Sequence, residues 1–458
     1  MSSYSSINSV NSPQSYSRKE FIHQILAGLG GMALYSCMGK DRKSLPNIVM
    51  IISDDQGWGD YGFMGHKIIQ TPNLDRLAAK SRVFARGYVT APLCGPSLAS
   101  LITGLHPHQH GKTSNDPPQK GESLDSNTRG WSKQRRQLRE QVISNFSKHP
   151  AIPKELKELG YSSLQTGKWW MGNYRTGGFT HGMTHGDMDR GGRHGDEGLK
   201  IGRETMQPIY DFIEESNENP FFIWYAPFLP HRPHNPPERL LSRYRDKTES
   251  IHIARYRANC EWFDETCGEL LDYLDEKGIS DNTIVLYVCD NGWIQQPDNS
   301  GYAERSKRSP YEGGIRTPIM IKWPGHVSPG FDKTTLVSSI DFAPTVLKAC
   351  GLTPTADMQG VDLLDRQSLR NRNAVFGVAY THDAVDINNP AASIKYSYVL
   401  EGEWKLILPS GRNDTGTEPE LYHVSEDPHE KINLADSDPE KVKHMKQLLK
   451  EWWSKTVD

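Results

Sequence analysis

The sequence predicts an α/β protein: one large, mostly parallel sheet sandwiched by helices, with a smaller C-terminal α+β subdomain. Three observations predict it. Short apolar, β-branched runs recur at 47–52, 221–226, 283–288 and 319–322, bounded by polar residues, as buried parallel strands are. Between two of these runs, Ile253, Tyr256, Cys260, Phe263, Cys267, Leu270 and Leu274 repeat at spacings of three and four. That is the stripe of one amphipathic helix, ended by Gly278, and strands alternating with helices imply a sheet covered on both faces. From about residue 366 the pattern changes to short strands, 396–400 and 404–408, and a final helix near 439–453.

Composition bounds the function classes. The 458 residues carry 53 Lys and Arg against 56 Asp and Glu, a net charge of −3, which offers no global footprint for nucleic acid. With 36% hydrophobic and 24% charged residues, 40 Gly and 29 Pro, the chain reads as loop-rich and globular, neither disordered nor polytopic. Six cysteines in this length do not make a disulfide scaffold. The expected division is 1–37 as an address segment, 44–365 as the main α/β domain, and 366–458 as the appendage.

The address segment opens with Ser, Asn and Tyr, then presents Arg18-Lys19 before a modestly apolar run at 21–35 and Cys37. A basic step before an apolar run of this length is a secretory pattern, and the run is short for a membrane span. Ser17-Arg18-Lys19-Glu20-Phe21-Ile22 resembles a twin-arginine signal. Leu34-Tyr35-Ser36-Cys37 resembles a bacterial lipobox, which would place a lipid anchor on Cys37. The expectation is an exported chain, periplasmic or held at the membrane as a lipoprotein.

Further along, Thr71-Pro72-Asn73 reads as a helix start, Thr as cap and Pro in the first turn, leading into 74–79. Cys260 and Cys267 share a helix face roughly 10 Å apart along the axis, too far for a disulfide, so both read as core. Cys289 also reads as buried. His106, His108 and His110 alternate as on a strand, with packing and turn roles expected and His110 kept as a pocket residue.

Ligand sites in open α/β sheets collect at the carboxyl ends of strands. Two such ends deliver oxygens, Asp54-Asp55 after 47–52 and Asp290-Asn291 after 283–288. Converging on one rim, they suit a hard divalent cation, Ca²⁺ ahead of Mg²⁺; apart, they would be turn or cap residues. In Cys94-Gly95-Pro96-Ser97 the Pro and Ser suit a helix start, placing Cys94 near a positive N-terminus that could face an anion. A lone cysteine there would otherwise be a small buried hydrophobe.

The ordered set of motifs resembles the formylglycine-dependent sulfatases of the alkaline phosphatase superfamily. Pro46-Asn47-Ile48-Val49, Asp54-Asp55 and Thr71-Pro72-Asn73-Leu74-Asp75 resemble the family's opening. Cys94-Gly95-Pro96-Ser97 with Thr103-Gly104 resembles its maturation motif. Gly167-Lys168-Trp169, Pro230-His231, Asp290-Asn291-Gly292, Lys307 and Tyr311-Glu312-Gly313-Gly314 follow in family order. Glu420-Leu421-Tyr422, Asp427-Pro428 and Asn433-Leu434-Ala435 resemble its C-terminal signature.

The resemblance implies that a formylglycine-generating maturation enzyme oxidises Cys94 to formylglycine (3-oxoalanine), whose hydrate attacks sulfur, displaces the alcohol, and then loses a second proton to expel sulfate. It implies a cation held by Asp54, Asp55, Asp290 and Asn291, positive charge from Lys168 and Lys307, and a proton donor in His231. A sulfated carbohydrate is the implied substrate. Two positions depart from the pattern. Leu98 stands where the maturation motif carries Arg, and Trp170 stands where Gly-Lys-Trp is followed by His. The Gly-rich stretch 173–196 carries His and Arg residues suited to an anion-binding wall, and His181 or His185 is expected to enter the site in place of the lost His. Trp170 and Trp293 suit either the core or stacking on a sugar ring. Two alternatives stay open: a phosphatase or phosphodiesterase-like metal hydrolase with unmodified Cys94, and an inactive, glycan-binding relative.

Overall fold

The apolar run that begins at Asn47 forms the middle of a nine-stranded sheet in the computed structural model, which describes residues 45–119, 131–217, 219–413 and 418–457. Arg18-Lys19 and Cys37 lie outside the described residues. Among those described, no helix is long and apolar enough to cross a membrane.

All seven residues of β1 (Asn47–Ser53) are buried, since parallel partners flank it on both sides. The rest of this sheet comprises β2 (Arg82–Tyr88), β3 (Ser162–Gly167), β4 (His181–Gly182), β5 (Phe221–Ala226), β6 (Thr283–Cys289), β7 (Arg316–Lys322), β8 (Gly330–Asp332) and β9 (Val337–Ser338). Their order is β4-β3-β5-β1-β6-β7-β2-β8, with β9 also on β2. Pairs from β4 to β6 are parallel; β7 runs antiparallel to both β6 and β2.

The helices that matter for the site are α1 (Pro72–Ala79), α2 (Cys94–Thr103), α3 (Lys133–Phe146), α4 (Gln207–Ser216), α5 (Ile251–Glu276) and α6 (Pro439–Trp452). The three-and-four stripe of α5 does what its spacing dictates. Phe263, Cys267, Leu270 and Leu274 pack with Val49, Ile51, Ile223 and Val285 of the sheet, and each fully buried large side chain contributes about 1.5–3 kcal/mol. Cys260, Cys267 and Cys289 are buried free thiols. One cap differs from expectation. Thr71 makes no capping bond to α1; its hydroxyl serves Gly62 N and Asp75 instead. The α1 amides of Asn73 and Leu74 donate to Asp264 of α5, at 3.1 and 2.7 Å, so a distant carboxylate supplies the negative charge that a helix N-terminus favours.

The C-terminal sheet is antiparallel, β10 (Ala374–Tyr380), β11 (Ile394–Glu401), β12 (Trp404–Pro409) and β13 (Glu420–His423), in that order. Val442, Met445 and Leu449 of α6 cover one face. Tyr398, Leu400 and Ile407 on the other meet Tyr88, Val89 and Ile315 of the large-sheet region. His106, His108 and His110 are not on a strand: Pro107–His110 is one helical turn. His106 and His108 pack against Trp452, and His108 stacks on Trp453 at 4.3 Å.

Candidate active site

Strand register decides which side chains meet. Ser53 of β1 lies opposite Cys289 of β6, so Asp54-Asp55 and Asp290-Asn291 leave the sheet side by side, and Asp290 N extends the ladder to Ser53 O at 2.9 Å. On the other flank Asp54 N bonds Leu229 O and pairs with Pro230, which sets His231 at the same rim. Gly167 of β3 lies opposite Ala226 of β5, and Lys168 N bonds Ala226 O at 2.7 Å. Gly167 has φ +73, and a Cβ there would meet Ala226 O at 1.8 Å, so only glycine lets the chain turn Lys168 into the site. Cys94 arrives from the opposite side at the first residue of α2, all ten residues of which are buried.

These pieces close on one another. Lys168 Nζ lies 2.6 Å from Asp54 Oδ1, 3.7 Å from Asp290 Oδ2 and 3.1 Å from Cys94 Sγ. Lys307 Nζ lies 2.5 and 2.7 Å from the two Asp55 oxygens and 3.3 Å from the same sulfur. Cys94 Sγ is 3.4 Å from Asn291 Oδ1, and Asn291 Nδ2 donates to Asp55 Oδ1 at 2.6 Å. His231 Nε2 is 3.4 Å from Asp55 Oδ2. Its Nδ1 lies 2.6 Å from Arg232 O; a carbonyl only accepts, so Nδ1 carries the proton and Nε2 faces the site.

Burial holds the Asp54 carboxyl well above the usual range; Lys168 pulls it down, and Asp290 and Asp55 push it up. Asp290 is raised for the same reason. Burial opposes the ammonium charges of Lys168 and Lys307, yet the neighbouring carboxylates outweigh it and hold both above their ordinary value. Burial pushes the Cys94 thiol up to about 12 against the pull of the two lysines.

The acidic cluster fits a divalent cation. Asp54 Oδ2 and Asp290 Oδ2 are buried without a hydrogen-bond partner, a costly state unless another positive group satisfies them. Ligand atoms of Asp54, Asp55, Cys94 and Asp290 lie within 4.8 Å of one another. Hard oxygen donors of this kind suit Ca²⁺ or Mg²⁺ chemistry.

Sequence reasoning missed Arg203, which sits in no motif. Its guanidinium donates to Phe228 O at 2.8 Å, Asn235 Oδ1 at 2.7 Å and His231 O at 2.9 Å, so it braces the loop that carries His231. Arg203→Ala is expected to lower turnover about 10–100-fold while leaving the melting temperature within a few degrees, because a side chain of the site displaced by an ångström costs rate steeply. Steady-state kinetics with a thermal melt would check this.

The structure does not bring His181 or His185 into the cluster. His181 lies on the edge strand β4, its Nδ1 2.9 Å from Thr180 Oγ1 and its ring against Phe212 of α4. The ring of His185 packs on Tyr174. The alternation of side chains along an edge strand turns His181 toward the helix layer, which is the reason the expectation fails. His110 is buried behind α2, its Nε2 3.1 Å from Ser100 Oγ. The histidine beside Trp170 is His194, stacked on its ring at 5.2 Å.

A mixed α/β sheet whose strand ends gather three carboxylates, two lysines and a cysteine at a helix start is the arrangement that the sulfatase motifs imply. The chain belongs to the sulfatase family: the Sulfatase family model matches residues 46–352, and the model of the N-sulphoglucosamine sulphohydrolase C-terminal region matches 301–456. It is 30% identical to human N-acetylgalactosamine-6-sulfatase over 362 residues, 70% of this chain and 65% of that protein; the chain thus spans just under two thirds of that relative's length. It is 25% identical to N-acetylglucosamine-6-O-sulfatase of Bacteroides thetaiotaomicron, over 93% of this chain and 90% of that one. The solved structure of Ps i-CgsB shares the fold with a TM-score of 0.71 at 23% identity, covering 90% of this chain and 94% of its own. A further structure, in complex with its substrate D-glucosamine-2-N,6-O-disulfate, has a TM-score of 0.67 at 21% identity, with coverage of 90% and 98%.

Proposed function

We propose that the protein hydrolyses sulfate esters of a carbohydrate, with Cys94 matured to formylglycine and Ca²⁺ in the Asp54, Asp55, Asp290 and Asn291 site. The observation that carries this reading is the placement of Sγ of Cys94 within 3.4 Å of Lys168 Nζ, Lys307 Nζ and Asn291 Oδ1 at once. A residue there reaches a ligand of the cation and two fixed positive charges together. When bound, the cation polarises sulfate oxygens as a Lewis acid; a hydrated aldehyde at residue 94 supplies an oxygen nucleophile.

The chain's own groups do the rest. Lys168 and Lys307 stay charged beside their carboxylates and face the oxygens on which negative charge grows, worth about 10²–10³ in rate for each such donor. His231, its Nδ1–H held by Arg232 O, turns Nε2 toward the departing alcohol oxygen and delivers a proton from there once the ring is doubly protonated. Burial, then Lys168 and Lys307, hold its pKa well below the ordinary histidine value, so once protonated near a bound anion it is a strong acid. The relatives named for acetylgalactosamine and acetylglucosamine 6-sulfates support a sulfated sugar as the substrate class.

The test is turnover of sulfated against phosphorylated aryl esters, before and after chelation. Hydrolysis of the sulfate ester, a fall of at least about 10³-fold on metal removal, and recovery with Ca²⁺ ahead of Mg²⁺ are expected. Preference for the phosphate ester would favour the phosphatase-like alternative. Export is part of the same proposal: Arg18-Lys19 and the Leu34-Tyr35-Ser36-Cys37 run support delivery across the inner membrane and a lipid at Cys37, and metabolic labelling with a fatty acid, lost in Cys37→Ala, checks it. The division into a catalytic part to residue 365 and an appendage from 366 goes with it.

A further inference from the structure

We propose that the cavity next to the cation-site loops is a saccharide-binding site, separate from the site of sulfate hydrolysis. It takes one unit of a glycan chain, holding a hydroxyl between Asp60 and His66 and the ring against Trp58 and Ile294. Binding here is distinct from ester cleavage and is read without it.

The cavity has a volume of about 430 Å³, within the range of about 300–1,000 Å³ in which small ligands are held. Trp58, Asp60, His66, Ile69, Arg257 and Ile294 line it, together with Gly57. Cys94, Lys168 and Lys307 do not, so the site binds and does not cleave. Trp293 is the partition. It borders the cavity, is 1% exposed, and has Lys307 Nζ 5.8 Å from its ring centre. A Cβ on Gly57 would meet Trp293 O at 2.8 Å, so the turn that follows Asp55 packs directly on this wall.

The polar corner is built by bonds that fix one atom of each group and leave its other atom to a ligand. Asp60 Oδ2 accepts from the Tyr256 hydroxyl at 2.6 Å and from Gly57 N at 3.2 Å. His66 Nδ1 accepts from Ile68 N at 3.1 Å and Ile69 N at 2.9 Å, so the ring proton sits on Nε2. Asp60 Oδ1 and His66 Nε2 lie 3.8 Å apart, too far for a hydrogen bond. Neither atom has another hydrogen bond among the described residues. Both side chains stay partly exposed, His66 at 22% and Asp60 at 21%, so a ligand reaches them. Burial raises the Asp60 pKa to about 6, and at neutral pH the group is a carboxylate that only accepts. Burial, with Arg257, holds His66 below its ordinary value, so the ring stays neutral and Nε2 donates.

That pair selects the ligand. A hydroxyl both donates and accepts, so one oxygen closes the gap, donating to Asp60 and accepting from His66. An anion between them would meet the carboxylate, and a metal cation would meet an N–H. An apolar molecule would leave both groups unpaired. Beyond the corner the walls are Ile69, Ile253, Ile294 and the half-buried Trp58, whose ring lies 4.1 Å from the Arg316 guanidinium and 6.4 Å from the His429 ring. Hydroxyls along one edge and C–H groups on a face are the chemistry of a sugar ring, which matches a mostly apolar pocket with a few convergent polar groups. Arg257 lines the same corner. Its hydrogen bond among the described residues runs from Nη1 to Lys247 O at 3.2 Å, so guanidinium N–H groups remain for the carboxylate of an acidic sugar. A second hold of this kind raises the affinity for a polymer above that for a single residue.

The experiment is isothermal titration of the full-length protein with a tetrasaccharide of alternating N-acetylgalactosamine and glucuronate, free of sulfate, which carries no ester for the hydrolytic site. One molecule is expected to bind per chain. Asp60→Asn keeps the shape of the corner but turns an NH₂ toward His66, and affinity should fall at least about tenfold. Ile294 is 45% exposed, a position where substitution spares the fold. Ile294→Glu should weaken binding at least about fivefold, by repelling the glucuronate, and leave aryl-sulfate turnover within about twofold of wild type. This variant decides the matter even where Asp60→Asn does not fold. Absence of binding at millimolar tetrasaccharide, or equal affinity in wild type and Ile294→Glu, would overturn the assignment. So would loss of turnover together with binding in Ile294→Glu, which would put the sugar in the reaction centre. A wild-type protein that binds the tetrasaccharide but cleaves no sulfate ester marks failure of the hydrolytic reading alone.

Discussion

Alanine at Cys94 is expected to abolish sulfate-ester turnover, by about 10⁴–10⁶-fold, while leaving substrate binding within a few-fold of wild type. The reason is local. Both lysines and Asn291 touch the Cys94 side chain together, and removing a nucleophile costs nearly everything the other catalytic groups contribute. The fold should not notice, because a small buried side chain at the first residue of α2 leaves a cavity smaller than a methylene-rich one would. Single-turnover kinetics and calorimetric titration with a sulfated sugar separate the two effects. Retained turnover would mean that a cation-bound water does the chemistry.

The largest stability effect is expected far from the chemistry, at Lys405. Its ammonium is fully buried in β12 and lies 2.6 Å from Glu430 and 3.2 Å from Glu312, both of them buried as well. Glu312 N in turn donates to Glu430 Oε2 at 2.6 Å, and Tyr88 OH to Glu312 Oε2 at 3.1 Å. Lys405→Met leaves Glu430 without its ammonium partner and Glu312 with Arg316 alone, 3.5 Å away, and should cost about 3–5 kcal/mol. The sign of the pH dependence follows. Burial raises Glu430 from 4.5 to about 7 even with Lys405 pulling it down. A carboxyl raised on folding binds its proton more tightly in the native state, so its contribution is present below pH 4.5 and is lost as pH rises through about 7. Without Lys405 that loss deepens, and the variant should be more destabilised at pH 8 than at pH 5.5 in urea unfolding. Adding Glu430→Gln should recover part of it. Because the turn holding Glu312 also bonds the cation-site loop, Gly292 N to Gly314 O at 2.8 Å, the same variant should weaken cation binding.

How legible the molecule is in its sequence depends on where each side chain finds its partners. β5 is apolar from end to end, and β1 and β6 are apolar between the terminal Asn47 and Ser53 and after Thr283, because both faces are covered; the carboxylates that follow β1 and β6 announce a rim. β3 is hidden because its buried face is polar. Gln165 accepts from Thr184 N at 3.0 Å and donates to Gly167 O at 3.0 Å, and Ser163 N and O both bond Thr180 Oγ1. Its side chains organise a loop instead of filling a core, so no hydrophobic period marks it. β2 carries Arg82 and Arg86 for a similar reason: Arg86 reaches Thr334 O. The histidines after Pro107 alternate in sequence, yet proline at the first turn starts a helix there. The tryptophans that cover them come from the far end of the chain.

The gap at Trp170 is the instructive case. The stretch after it displays several histidines among glycines, and nothing local ranks them. The histidine whose ring meets Trp170 is His194, placed there by contacts that span the chain: Asp116 on Arg193, Arg139 on Gly192, and Trp169 N on His194 O. A Gly-rich segment takes its path from such anchors, since its own residues prefer none.

The chemical state of residue 94 is the measurement on which the account turns. In protein made by a host competent for maturation, peptide mass spectrometry of the segment holding Cys94 should show the aldehyde, with the aldehyde fraction tracking sulfatase turnover across preparations. A free thiol at position 94 in a preparation that cleaves sulfate esters at full rate would contradict it.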